Sequence, residues 1–93
     1  MKEYYIYIVS SDSWTLYIWM TNNLKRRIYE HKEWIMEWFT KKYWCTRLVY
    51  YEVWSDIEYV IQREKQMKKW NRSKKEKLIK TINPWWKDLY DEI

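Results

Sequence analysis

Five side chains spread along this chain have types and spacings that could do chemistry: Tyr7, Tyr17, Arg27, His31 and Glu64. Glu64 falls four residues after Val60 and seven after Ile57, on an apolar helical stripe that runs on to Met67. A carboxylate in that place is costly unless it is paired, hydrogen-bonded or bound to a metal. It is either the partner of a base such as Arg27 or Lys68, or a ligand of Mg²⁺, which commonly takes a carboxylate together with phosphate oxygens and water. Arg27 and His31 stand one turn apart on a helix face. A guanidinium suits a phosphoryl group because its planar fork donates two hydrogen bonds and stays charged at every working pH. The single imidazole can donate to a phosphate or move a proton near neutrality. The plain alternative for both is an amphipathic side chain at the edge of a buried stripe. Tyr7 and Tyr17 lie on adjacent strands. A phenol with a pKa near 10 needs a cation or a metal-bound water before it can serve as a base. In a chain with ten tyrosines, packing is the plain alternative for either one.

The elements that must position these groups are legible in the pattern. Residues 3–9, EYYIYIV, are aromatic and β-branched and predict a strand. SSDS supplies a turn, and 15–20, TLYIWM, predicts a second strand close enough for an antiparallel hairpin. Alternation puts Tyr5, Tyr7 and Val9 on one face of the first strand and Tyr17 with Trp19 on one face of the second. Thr21-Asn22-Asn23 offers caps for a helix whose Leu24, Arg27, Ile28 and His31 share a face. A short amphipathic helix is expected over 34–43 through Trp34, Ile35, Trp38 and Phe39, and RLVYYEV at 47–53 predicts a third strand. Ser55-Asp56-Ile57-Glu58 reads as a capping box, opening a helix with apolar Ile57, Val60, Ile61 and Met67. A basic helix over roughly 73–82 ends at Pro84. The order β-β-α-α-β-α-α implies an α+β fold, a three-stranded, mostly antiparallel sheet flanked by helices, with residues 1–93 as a single domain.

Charge and composition narrow the partners. The chain has 93 residues and a net charge of +5, and nine Lys/Arg lie between Arg63 and Lys80 against Glu64 and Glu76 alone. Such a stripe is either a solvated helical face or a seat for a polyanion. One cysteine, Cys45, excludes an internal disulfide and a multi-cysteine metal site, and is expected to fill space beside a strand. No apolar run is long enough to span a membrane, and the start MKEYYIYIV lacks the marks of a signal peptide, so the cytoplasm is the expected compartment. No phosphate-binding Gly-rich loop, His/Cys cluster or Ser-His-Asp arrangement is present. Glycine and alanine are absent, whereas tryptophan occurs nine times. Glycine normally makes up about 7% of residues. Trp14, Trp34, Trp38, Trp44 and Trp54 stand beside strand ends or in expected turns, where the φ > 0 freedom of glycine is usually wanted. This composition reads as an altered or designed sequence, and its tryptophan-rich surface suits self-association or a protein partner. Lys2, Glu3 and the closing DLYDEI carry no functional reading.

Taken together, these residues resemble the GIY-YIG nuclease superfamily, and within it the small single-domain bacterial branch, over almost the full chain. Tyr5-Ile6-Tyr7 stands in the place of G-I-Y and Tyr17-Ile18-Trp19 in the place of Y-I-G. The run Thr21 to Arg27, followed by His31, is similar to the family's first helix, and Glu64 with Lys68-Lys69 to its metal-binding helix. The resemblance implies an endonuclease that hydrolyses phosphodiester bonds in DNA with one Mg²⁺ or Mn²⁺. In that role Tyr7 and Tyr17 would orient or deprotonate water, Arg27 would stabilise charge on the phosphate, His31 would assist there, and Glu64 would hold the metal. Lys65, Lys68, Lys69, Arg72 and Lys74 would contact the nucleic-acid backbone. Two departures stand out: Tyr5 replaces the first motif glycine, and Trp19 replaces that of Y-I-G, placing an indole on the face of Tyr17. Asn71 and Asn83 are both candidates for the family's downstream asparagine. A nucleic-acid-binding domain without catalysis, or a scaffold with no enzymatic activity, is the alternative.

Overall fold

The computed structural model describes residues 2–33 and 47–93. The helix expected over 34–43, and with it Cys45, Trp34, Trp38 and Trp44, lies outside the described residues. Strands β1 (Tyr4–Ser10) and β2 (Leu16–Thr21) are followed by helix α1 (Leu24–Lys32), strand β3 (Arg47–Trp54), helices α2 (Ile57–Lys69) and α3 (Arg72–Ile82), and a 3₁₀ turn, Leu89–Glu92. The sheet has the order β2-β1-β3 and is antiparallel throughout, so the first strand is central. The expected α+β architecture is observed.

Alternation along β1 divides the core into two layers. Ile6 and Ile8 face Ile18, Val49, Tyr50, Val60, Met67 and Ile79, which places α2 and α3 over one side of the sheet. Tyr7 and Val9 face Leu24, Ile28, Leu48 and Leu89, which places α1 and the C-terminal turn over the other. A register shift between Ile8 and Val9 pairs Ile8 with Tyr50 but Val9 with Leu48. The extra residue, Val49, forms a bulge, and this explains how the consecutive Val49 and Tyr50 share one layer.

Local signals place most boundaries. Asn23 caps α1 by accepting from the Arg26 amide at 3.2 Å, as the Thr21–Asn23 run suggests. At α2 the expected capping box is not formed. Asp56 is the cap instead, its Oδ1 accepting from the amides of Glu58 (3.0 Å) and Tyr59 (3.4 Å). A carboxylate one residue nearer the helix reaches the free amides directly and leaves Ser55 outside. The expected α2 stripe also needs correction. Val60 and Met67 are buried, but Ile57 and Ile61 are 38% and 39% exposed. Ile61 lies about 100° round the helix from Val60, so a face centred on Val60, Glu64 and Met67 turns it outward.

Among the described residues two tryptophans adopt the left-handed conformation, Trp14 at φ 64° and Trp86 at φ 55°. Position 14 therefore has the geometry that favours glycine, whereas Trp54 lies in β3 and does not. An αL residue with a Cβ costs about 1–2 kcal/mol. Contacts offset it: the two indoles meet edge to face at 5.3 Å, and the Arg47 guanidinium lies 5.1 Å from the Trp14 ring.

One charged network ties α2 to the sheet. Glu52 on β3 accepts from Arg63 Nε at 3.1 Å and Nη2 at 2.8 Å, from the Tyr50 hydroxyl at 2.6 Å and from Trp54 Nε1 at 2.8 Å. Burial works to raise the Glu52 pKa, but the hydrogen bonds and the neighbouring guanidinium outweigh it and hold the carboxyl below its usual value. Arg63 precedes Glu64, so this clamp fixes the rotation of α2 and the direction in which Glu64 points. Glu52→Ala is expected to destabilise the fold by about 3 kcal/mol, because it leaves a partly buried guanidinium without its counter-ion. Urea unfolding at neutral pH checks this, and a change within the error of the parent would deny the clamp its structural role.

Candidate active site

Tyr7 is fully buried at the centre of the sheet, and its hydroxyl meets His31 Nε2 at 3.0 Å across 24 residues of sequence. Leu24 and Ile28 bury the same face of α1 and bring His31 down onto the strand. The rings stand edge to face with centroids 5.7 Å apart. Burial pushes the phenol pKa well above its ordinary value; Arg27 opposes that shift, while Glu30 and Glu64 add to it. Arg27 and Glu64 therefore both act electrostatically on the Tyr7 hydroxyl, from α1 and from α2. Tyr17 packs, half-buried, against the cluster that contains Tyr7.

Glu64 stands on the helix that packs over the other side of the sheet, and its charge nevertheless adds to the raised Tyr7 pKa. Trp19 is the direct cross-strand partner of Tyr7, so the two side chains share a face. Lys68 Nζ lies 4.9 Å from the Trp19 ring and 3.5 Å from a Glu64 carboxylate oxygen. The Glu64 side chain is only 14% exposed. The ion pair that its place on the stripe allows is thus present, with Lys68 as the base, and the carboxylate is largely covered.

Sequence reasoning missed Glu30. Its carboxylate lies 3.4 Å from Arg27 Nε and 3.6 Å from Arg26 Nε. Glu30, at i+3 from Arg27 and i+4 from Arg26, orients the Arg27 side chain, and that spacing was the available signal. Of the expected nucleic-acid contacts, Lys65 and Lys69 are exposed on α2, while Lys68 is engaged with Glu64 and Trp19. Arg72 pairs with Glu76 at 2.7 Å and donates to the Trp14 carbonyl, and Lys74 lies 4.4 Å from the Trp70 ring. The two asparagines do structural work. Asn71 caps α3 through the Lys74 amide at 2.9 Å, and the buried Asn83 donates to the carbonyls of Val49 (3.0 Å) and Lys87 (2.7 Å).

Burial, followed by the Arg27 charge, lowers the His31 pKa to about 4 from an ordinary value of 6.5. The imidazole is therefore neutral at pH 7. Because the unfolded chain takes up this proton near pH 6.5 and the native state only near 4, stability is complete above 6.5 and is lost as pH falls towards 4. The expected loss between pH 7 and 4.5 is about 2–3 kcal/mol. Urea titrations at the two pH values measure it, and His31→Asn should flatten most of the difference.

Among the described residues, no group of three or more His, Cys, Asp or Glu side chains comes together as a metal centre. A divalent ion held by a lone carboxylate commonly completes its shell with water and phosphate oxygens. The donor set fits such an ion: an oxygen ligand, largely covered, whose ion pair with Lys68 spans 3.5 Å and involves a lysine side chain that is 44% exposed.

A phenol and an imidazole thus meet over the central strand, with the charges of a guanidinium and a carboxylate acting on the same hydroxyl. Residues 3–77 match the GIY-YIG catalytic domain, and the chain belongs to that family. Relatives include a UPF0213 protein of Syntrophus aciditrophicus, 35% identical over 81 residues that cover 86% of this chain and 93% of the relative. A UPF0213 protein of Natronomonas pharaonis is 32% identical over 77 residues, covering 83% and 91%. The fold is similar to that of a UPF0213 protein from Bacillus halodurans solved by NMR, with a TM-score of 0.61, 24% identity and 92% of each chain covered. Among the described residues no helix is long and apolar enough to cross a membrane.

Proposed function

We propose that the chain is a divalent-metal-dependent endonuclease that hydrolyses phosphodiester bonds in DNA, acting in the cytoplasm as one domain over residues 1–93. The observation that carries this reading is the buried Tyr7–His31 hydrogen bond of 3.0 Å, with Arg27 and Glu64 both acting on the same hydroxyl. In this proposal Tyr17, half-buried beside Tyr7, orients the attacking water. Tyr7 is too deeply buried and too weak an acid to act alone as a base, so it passes the water's proton to neutral His31 through their shared hydrogen bond. Arg27, steadied by Glu30, binds the non-bridging phosphate oxygens and offsets the charge that gathers there. Glu64 would hold Mg²⁺ or Mn²⁺, whose charge supports the phosphate and the leaving oxygen when bound. Lys65, Lys69 and Lys74, with Lys68 and Arg72, carry the DNA backbone through contacts that ignore sequence.

One observation favours a second reading, that of a nucleic-acid-binding domain with suppressed cleavage. Trp19 stands directly opposite Tyr7, with Lys68 over its ring. The test is nicking of supercoiled DNA with Mg²⁺ or Mn²⁺ beside an EDTA control, with DNA affinity measured across a salt series. Cleavage that EDTA removes supports the endonuclease. Salt-sensitive binding by a folded protein that does not nick in any of these ions selects the second reading.

A further inference from the structure

The last turn of the chain is tied to the helix that carries His31, although it supplies none of the proposed catalytic groups and lies beyond the family match at residues 3–77. Leu89 is buried in the same cluster as Tyr7 and Ile28. Asp88 Oδ1 accepts from the Leu48 amide on β3 at 3.2 Å and from the Tyr90 amide at 3.1 Å, while its Oδ2 accepts from Lys32 Nζ. Lys25, two turns earlier on α1, donates to the Ile93 carbonyl at 3.1 Å, and the Lys25 and Lys32 ammonium groups lie 5.9 and 5.1 Å from the Tyr90 ring. Asn83 anchors the start of the segment, accepting from the Lys87 amide at 2.9 Å and donating to Val49 on β3. The segment therefore straps α1 against the sheet at both ends of the helix.

The strap matters most at His31, the residue before Lys32. Among the described residues its Nδ1 is buried with no hydrogen-bond partner, so packing of α1 and the bond to Tyr7 set the ring's position. A small displacement of α1 would open that bond, and misplacement of about 1 Å can cost about 10²-fold in rate. We infer that Asp88 is a positioning residue, holding α1 through Lys32 and β3 through the Leu48 amide so that His31 stays in register with Tyr7. This rests on reading Tyr7 and His31 as the catalytic pair.

His31 is the only histidine, so its ring gives one unambiguous set of NMR signals that report position without any assay of cleavage. The experiment compares the parent chain with Asp88→Asn, Lys32→Met and Lys32→Arg, recording the ring signals, DNA affinity and single-turnover nicking of each. Asp88→Asn and Lys32→Met should displace the His31 signals and slow nicking about tenfold at unchanged DNA affinity. Lys32→Arg, which keeps the ion pair, should match the parent. Ring signals that superimpose on the parent's in the folded Asp88→Asn and Lys32→Met proteins would overturn the inference. Should Asp88→Asn not fold, Lys32→Met decides, because it releases α1 from Asp88 and from the Tyr90 ring and leaves the backbone bonds of Asp88 in place, while Lys32→Arg keeps both contacts. If the parent itself does not nick DNA, the endonuclease reading falls while the ring signals still decide whether Asp88 positions His31.

Discussion

Glu64→Gln is expected to lower metal-dependent nicking by at least about 10²-fold while the protein keeps its fold. The two side chains have nearly the same shape, so the packing around a group that is 14% exposed survives the exchange. What is lost is the charge. An amide oxygen is a poor ligand for Mg²⁺ compared with a carboxylate, and the developing phosphate charge then lacks its counter-ion. The structural cost is the ion pair with Lys68, an i,i+4 contact worth about 0.3–0.5 kcal/mol. Thermal unfolding should therefore move by no more than a few degrees, and Mn²⁺ binding, followed by its paramagnetic broadening of nearby resonances, should disappear. A Gln variant that unfolds would show that the carboxylate is needed for the fold, through Lys68. One that nicks at the parent rate would remove Glu64 from the chemistry.

The sheet and most helix boundaries were legible because their signals are local. Alternation in EYYIYIV, the caps at Asn23 and the stop at Pro84 each act within a few residues. The convergence of Tyr7 with His31 was legible only in part. Periodicity gives each residue its face, and the pairing of those faces needed the family pattern. Ile57 and Ile61 show why, since each fits an apolar stripe and yet both stay exposed where Val60, Glu64 and Met67 centre the buried face. Asp56 displaced the expected Ser55 cap because two neighbouring caps compete for the same amides and the sequence gives no ranking between them. The closing DLYDEI has no periodicity to read. Its contacts run from Asp88 to Lys32 and Leu48, over 56 and 40 residues, and such distant pairings leave no local trace.

Trp19→Gly is expected to raise nicking by about 10–100-fold and to lower stability. Directly opposed side chains on paired strands have Cβ atoms about 4.5–5.5 Å apart, so the indole stands beside the Tyr7 phenol on the face that Tyr17 also addresses. It is 37% exposed and therefore fills the solvent side of that face, where a phosphate would enter. It also holds Lys68 over its ring, which keeps an ammonium 3.5 Å from the carboxylate proposed to bind the metal. Removing the indole opens the approach and loosens Lys68 in one step. The cost includes a glycine in a strand, about 0.5–1 kcal/mol, and a cation–π contact of about 0.5–1 kcal/mol, besides the packing of the covered part of the indole. For a domain of this size the first two alone lower the melting temperature by roughly 4–16 °C. DNA affinity separates obstruction from a role for the ring itself. Faster nicking at undiminished affinity identifies the indole as an obstruction at the site. Unchanged nicking rejects that account, and a fall in affinity would mean that Trp19 stacks on a base, so that the side chain standing in place of the motif glycine has become part of the binding surface.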